Sequence, residues 1–133
     1  MSVRFAGYAA VFDRPDRGGD IIRKGAFAEA VAGLPLYLNH DPRQRIGTVS
    51  VLGEDAKGLR VIAESARAPV QIGQGLSFGY RVKGACRSAC GQYRELTQLD
   101  LIEISLVACP MQPLARVIAT EACDPKKETE NGL

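Results

Sequence analysis

The chain has 133 residues, of which 46% are apolar and 24% charged, and its formal net charge at pH 7 is +2. This size and composition are typical of one soluble globular domain. The scattered and nearly balanced charges argue against nucleic acid or an anionic membrane as a partner. The sequence shows neither a secretory signal nor the ~20 consecutive apolar residues that cross a bilayer, so we expect a cytoplasmic protein.

The first half of the chain predicts strands separated by glycine-rich turns. Residues 3–12 are apolar, aromatic and β-branched, as in a buried strand. Residues 25–33 are rich in alanine, and we expect a short helix there that ends at Gly33. Residues 34–38 predict another strand, and His40 lies just past its end.

The second half predicts more short strands and a polar tail. A glycine-bounded loop at residues 53–58 predicts a hairpin. The remaining candidate strands are residues 44–52, 58–65, 74–83, 92–107 and, as strand or helix, 111–119. Residues 123–133 are polar and are expected to form a disordered tail after a domain of residues 1–122. Many short strands favour a mainly β (α+β) fold, a β-barrel or sandwich with short flanking helices.

Three side chains in this sequence have the chemistry of a serine protease. Ser77 lies between Gly75 and Gly79 in a strand-like run, so a substrate backbone can approach it closely. His40 is the chain's single histidine, and a histidine can accept the serine proton because it titrates near neutral pH. Glu103 is an isolated carboxylate in an apolar run, suited to orient an imidazole. We therefore predict Ser77 as nucleophile, His40 as general base and Glu103 as the orienting acid.

Each of these residues also has a structural explanation, which the sequence leaves open. His40 follows Asn39 and precedes an aspartate and a proline, a composition typical of a turn. Ser77 is small enough to lie where two strands approach closely. Glu103 could point to solvent, because burying an unpaired carboxylate costs several kcal/mol.

The four cysteines raise the alternative of a structural zinc site. Cys86 and Cys90 are four positions apart, whereas Cys109 and Cys123 are distant from them and from each other. Structural zinc usually needs two closely spaced pairs of ligands, and only one pair is present. We therefore predict no metal and no cofactor, and free thiols in a reducing compartment.

A cytosolic esterase is a further alternative, because Gly75, Ser77 and Gly79 match the spacing G-x-S-x-G. In esterases this motif forms a sharp turn between a strand and a helix. Residues 80–82 continue the strand-like pattern, which weakens this interpretation.

A set of short sequence blocks resembles one family of viral enzymes. The blocks are GYAAVFD at 7–13, GDII at 19–22, GAF at 25–27, LYLNHD at 36–41, IGTV at 46–49, GLRV at 58–61, GLSFGY at 75–80 and LDLIEISLVACPMQPLARV at 99–117. In this order, over about residues 5–117, they resemble the prohead (capsid maturation) serine proteases of HK97-type tailed phages.

This resemblance implies a fold like that of the herpesvirus assembly proteases, a β-barrel flanked by short helices. It assigns His40 as base, Ser77 as nucleophile and Glu103 as the third member. It implies cleavage of the scaffolding region from the major capsid protein precursor inside the procapsid, in the host cytoplasm, followed by self-digestion. The resemblance leaves open whether the protein forms a homodimer. For the oxyanion, we expect backbone donors in the loop of residues 108–112.

The sequence differs from the family in two ways: the segment before the nucleophile block is short, and the chain as a whole is compact. Family members place a helix before the nucleophile block, whereas residues 65–74 are too few for a long helix and include Pro69 and Gly73. This departure leaves a second function open, a non-catalytic module that binds the capsid precursor during assembly. The compact chain suggests a gene transfer agent or reduced prophage as its source.

Overall fold

The computed structural model describes residues 2–67 and 69–123, which form strands joined by turns and loops. The strands are β1 (Ser2–Val11), β2 (Asp20–Ile22), β3 (Pro35–Leu38), β4 (Asp41–Glu54), β5 (Gly58–Ser65), β6 (Gly75–Arg87), β7 (Arg94–Val107) and β8 (Val117–Cys123). The predicted hairpin is confirmed, because β4 and β5 pair antiparallel around residues 55–57. The predicted disordered tail lies outside the described residues, apart from the backbone of Cys123.

The long strand β7 organises the sheet around the candidate site. The strand order is β2-β7-β3-β4-β5-β1-β8, and β6 pairs along the other edge of β7. One edge of β7 runs antiparallel to β6, while its opposite edge runs parallel first to β2 and then to β3. The end of β3 and the start of β6 therefore lie on either side of the last residues of β7.

The prediction of a closed β-barrel is wrong. In the described part of the chain, β6 and β8 do not join in a continuous ladder. Within the described residues, the chain entering β6 and the chain entering β8 are joined by an isolated bridge between Gly75 and Arg116. They are also joined by backbone hydrogen bonds from Leu76 N to Ala115 O (2.9 Å), from Val117 N to Gln74 O (2.9 Å) and from Gly73 N to Val117 O (2.8 Å). These contacts end at Val117: from there onward one edge of β8 pairs with β1, and among the described residues no ladder continues along its other edge.

The predicted flanking helix at residues 25–33 is also wrong. This segment forms successive turns, in which each hydrogen bond joins residues three apart: Ala26 to Arg23, Ala28 to Gly25 and Ala30 to Phe27. A segment this short has little helical stability of its own. The carboxylate of Glu54 on β4 accepts hydrogen bonds from the amides of Gly25 and Phe27, which fixes the turns instead. None of the described segments forms an apolar helix of the length that crosses a bilayer.

The core lies on one face of the strands and supplies the main driving force for folding. In β5, Leu59, Val61 and Ala63 are fully buried while Arg60 is exposed, the alternation of a strand with one buried face. Phe27 is buried beside Phe78 on β6, with the two rings 5.4 Å apart and nearly perpendicular. Burial of each such large side chain contributes roughly 1.5–3 kcal/mol.

Candidate active site

The fold brings the three predicted site residues to three adjacent elements. Ser77 on β6 lies opposite Ser105 on β7, and Glu103 lies opposite Gly79. On the other edge of β7, β3 runs parallel and ends in the turn that carries His40. The three residues are far apart in the sequence, but the pairing of β3 and β6 with β7 places them around the end of β7.

A β-bulge at Ile102 determines which way Glu103 points. Gly79 pairs with Glu103, but the next residue of β6, Tyr80, pairs with Leu101, so Ile102 has no partner on β6. The extra residue shifts the alternation of β7, so that Ile104 faces the core and Glu103 the side that holds Ser77. Bulges of this kind commonly re-aim side chains beside active sites.

His40 occupies a backbone conformation that most residues avoid. It forms, with Asn39, the two-residue loop between β3 and β4, and Leu38 pairs with Asp41 across it. Both loop residues have positive φ, 54° for Asn39 and 61° for His40, as in a type I′ turn. Such turns favour asparagine followed by glycine, so the histidine stands where a glycine is expected. The expectation that His40 lies in a turn is confirmed. The strained backbone of His40 also suggests a functional role for this residue.

His40 and Glu103 form a close hydrogen-bonded pair. Nδ1 of His40 lies 2.5 Å from Oε1 of Glu103. Glu103 is only 5% exposed, whereas the His40 side chain is 42% exposed. The hydrogen bond to Glu103 raises the pKa of His40 above its ordinary value, outweighing the opposing effect of partial burial. Because the carboxylate can only accept, Nδ1 carries the proton and Nε2 is left as the basic nitrogen.

Ser105 is a second hydrogen-bond partner of Glu103, and sequence reasoning did not single it out. Its hydroxyl donates to Oε2 of Glu103 at 2.6 Å and accepts a hydrogen bond from the backbone N–H of His40 at 3.1 Å. Ser105 is fully buried. The available signal was its position two residues after Glu103, which places both side chains on one face of the same strand.

Ser77 lies on the strand next to this pair, opposite Ser105, and no hydrogen bond among the described residues joins it to His40. It is 7% exposed and borders a small cavity of about 30 Å³, which is lined also by Met111 and Gln112 and by core-facing residues such as Leu76, but not by His40 or Glu103. Within the described residues, the hydrogen bonds of His40 go to Glu103 and Ser105 rather than to Ser77. Such contacts are often long in free enzymes and tighten when substrate binds.

The loop of residues 108–112 reaches the Ser77 cavity because its end is tied to β1. The side chain of Gln112 accepts from Val11 N at 2.6 Å and donates to Val11 O at 2.9 Å, and Gln112 is buried. The backbone of Arg17 also donates to Met111 O at 2.9 Å. The loop expected to supply oxyanion donors is therefore anchored beside Ser77.

Cys86 and Cys90, the closely spaced pair considered as zinc ligands, lie away from this site. Cys86 and Cys90 are exposed free thiols at the far end of β6 and in the following loop, and Cys109 is also exposed. Among residues 2–67 and 69–123, no group of three or more histidine, cysteine or acidic side chains is arranged to hold a metal ion.

Comparison with known sequences identifies related proteins. A family model described as "Caudovirus prohead serine protease" matches residues 1–129 of the chain. The prohead protease of Enterobacteria phage HK97 is 31% identical over 137 residues, which cover 90% of this chain and 61% of that protein. The chain thus spans less than two thirds of that relative.

Comparison with solved structures concerns the fold. The protease of KSHV, in complex with a hexapeptide phosphonate inhibitor, superposes with a TM-score of 0.64 at 14% identity, covering 92% of this chain and 66% of that one. The protease of varicella-zoster virus gives a TM-score of 0.59 at 12% identity, covering 98% and 68%. The expected likeness to herpesvirus proteases is confirmed as a likeness of fold.

Proposed function

Because the chain belongs to the caudovirus prohead serine protease family, we propose that it is a serine endopeptidase that cleaves the N-terminal scaffolding region from the major capsid protein precursor. The observation that carries this proposal is the hydrogen bond between His40 Nδ1 and Glu103 Oε1, on the side of β7 that also holds Ser77. A histidine held by a buried carboxylate near a serine is the arrangement that activates a hydroxyl for acyl transfer.

In the proposed mechanism, Ser77 Oγ attacks the carbonyl carbon of the scissile peptide. Nε2 of His40 accepts the serine proton and donates it to the departing amine, leaving an acyl ester on Ser77. Glu103 holds the ring and stabilises the imidazolium that forms. A water molecule, deprotonated by the same His40, then hydrolyses the ester and restores the free serine.

The loop of residues 108–112 is the proposed source of oxyanion donors. Met111 and Gln112 line the Ser77 cavity, and Gln112 fixes the loop through its two hydrogen bonds to Val11. A backbone N–H aimed at the developing oxyanion typically contributes ~2.7–4 kcal/mol to transition-state stabilisation.

An open cleft of about 270 Å³ beside the site suits an extended peptide. It is lined by the start of the His40 turn, by the chain before Ser77 and by the end of β7, including Asn39, Gly75 and Ala108. Gly73 lines this cleft and nothing lies within 4 Å of the place of a Cβ there, so a substrate main chain can approach the protein backbone closely at this position. We assign this cleft to the residues that flank the scissile bond.

The proposal also covers the domain bounds, the place where the protein acts and its self-digestion. The protease domain is residues 1–122, and it acts without metal or cofactor inside the assembling procapsid in the host cytoplasm. It also digests itself after cleaving the capsid precursor. A homodimer and an origin in a gene transfer agent remain predictions.

A second candidate function is a non-catalytic module that binds the capsid precursor without cutting it. The observation that favours it is that His40 bonds to Glu103 and Ser105 but, within the described residues, not to Ser77. A relic that had lost its activity would retain the fold and the cleft.

Co-expression with the capsid precursor separates these two functions. The precursor is produced with the wild-type chain, with Ser77→Ala, or with Ser50→Ala, a control at an exposed serine on β4. We expect intact mass to show loss of an N-terminal segment with wild type and Ser50→Ala only. An uncut precursor that co-purifies with all three would support the binding module. Cleavage with Ser77→Ala would exclude Ser77 as the nucleophile.

A further inference from the structure

We propose that Ser105 is a positioning residue that holds the base and its orienting acid in one closed hydrogen-bonded ring. The ring runs from the backbone N–H of His40 to Ser105 Oγ (3.1 Å), from Ser105 Oγ to Glu103 Oε2 (2.6 Å), and from Glu103 Oε1 back to His40 Nδ1 (2.5 Å). This inference rests on the proposed function, because it concerns the same site.

The count of donors and acceptors fixes the direction of each bond. A serine hydroxyl has one proton to donate and two lone pairs to accept with. The His40 amide can only donate, so Ser105 must accept from it, and its single proton goes to Glu103. Each carboxylate oxygen of the buried Glu103 then receives one donor, which offsets much of the cost of burying its charge.

The bond to the His40 amide holds a strained backbone. His40 and the preceding Asn39 both have positive φ, a conformation that glycine and, to a lesser extent, asparagine tolerate but that is unfavourable for a histidine. Two hydrogen bonds to β7 stabilise this turn: Ser105 Oγ accepts from His40 N, and Leu106 O accepts from Asn39 N at 2.9 Å. Ser105 thereby fixes the base at two points, directly at its backbone and through Glu103 at its ring.

The parallel pairing of β3 and β7 explains why position 105 can do this. Tyr37 pairs with Ser105 and Leu38 with Leu106, so the chain leaves β3 directly beside the end of β7. The bulge at Ile102 turns Glu103 and Ser105 together toward the same side. A serine is suited to this position because its hydroxyl can accept from the His40 amide and donate to Glu103 at the same time.

The experiment compares wild type with Ser105→Ala and Ser105→Cys. The cysteine variant nearly keeps the volume and thus protects the fold, while its thiol is a weak donor. Ser65→Ala is the matched control, because Ser65 is a fully buried serine on another strand. The chain's single histidine makes the NMR signals of the ring unambiguous, so its titration and the protonated nitrogen can be followed directly.

We expect both Ser105 variants to lose the Nδ1 hydrogen bond, to titrate closer to the ordinary pKa of histidine, and to lower kcat by about 100-fold with little change in KM. Ser65→Ala should leave the histidine signals unchanged. If the Ser105 variants melt at lower temperature but keep wild-type histidine signals and kcat, Ser105 only fills the core and the inference is overturned. Because the NMR measurement needs no peptidase activity, it also distinguishes failure of this inference from failure of the proposed function.

Discussion

The carboxylate of Glu103 lies over Gly79 on the neighbouring strand, in the space that a side chain at position 79 would need. A Cβ built on Gly79 would fall well inside contact distance of Oε1 of Glu103. Gly75, Ser77 and Gly79 alternate along β6 and share one face. The spacing G-x-S-x-G is therefore not the turn of an esterase, because here the second glycine makes room for the acid that orients His40.

Gly79→Ala should reduce activity far more than stability. The added methyl group displaces the Glu103 carboxylate, which can move as the end of a side chain but loses its bonds to His40 and Ser105. We expect kcat to fall by about 100-fold, because small misplacements of catalytic groups have effects of that order. Gly53→Ala is the control, since nothing lies within 4 Å of a Cβ there. Equal activity of the two variants would contradict the placement of Glu103.

His40→Gly should give a more stable protein than His40→Ala, although both are inactive. Both variants lose the ring and its bond to Glu103, so their difference isolates the backbone of residue 40. Glycine adopts positive φ without strain, whereas alanine does not, and we expect a difference of about 1–2 kcal/mol. Urea unfolding of the two variants measures it. Equal stabilities would contradict the left-handed turn.

The pH dependence of kcat/KM should report the pKa of His40. The base must be neutral to accept a proton, and the bond to Glu103 raises its pKa, so activity should rise with pH with a midpoint above about 6.5. Glu103→Gln removes the negative charge that favours the imidazolium, so the midpoint should move to lower pH. We also expect kcat to fall by up to ~10⁴-fold, as when the acid of a related triad is replaced by an amide. An unchanged midpoint would exclude Glu103 as the partner of the base.

Cys90 should react with iodoacetamide faster than Cys86. A hydrogen bond with Ser88 lowers the pKa of Cys90, whereas desolvation and then Glu95 raise the pKa of Cys86. The thiolate is the reactive form, so mass mapping at neutral pH should find Cys90 alkylated first. Alkylation at these two positions should not affect cleavage, because Cys86 and the loop that carries Cys90 lie at the opposite end of the β6–β7 ladder from Ser77. Loss of activity on labelling Cys90 alone would contradict this account.

Sequence reasoning singled out the three candidate site residues because their residue types are unusual in their settings. A single histidine after a strand, a serine between glycines and a carboxylate in an apolar run each stand out locally. The strands and the hairpin at residues 53–58 were also predictable, since their signals lie within a few residues. Whether Glu103 faced solvent could not be decided, because the bulge at Ile102 is visible only against β6.

The errors arose where distant residues override local preference. The alanine-rich composition of residues 25–33 favours a helix, but Glu54, from another strand, binds the amides of Gly25 and Phe27 and fixes turns. Closure of the barrel depends on whether β8 pairs with β6 as well as with β1, and in the described residues the contacts toward β6 end at Val117. The role of Ser105 depends on the parallel pairing of β3 with β7, which no local pattern indicates.

Covalent labelling by a peptidyl phosphonate tests the central claim most directly, that Ser77 is a nucleophile activated by His40. Wild type, Ser77→Ala, His40→Ala and Ser50→Ala are each incubated with the reagent, and the adduct is located by peptide mass mapping. We predict a single adduct on Ser77 in wild type and Ser50→Ala, none in Ser77→Ala and much slower labelling in His40→Ala. An equal adduct in Ser77→Ala, or an unlabelled wild type that still cleaves the capsid precursor, would contradict the account.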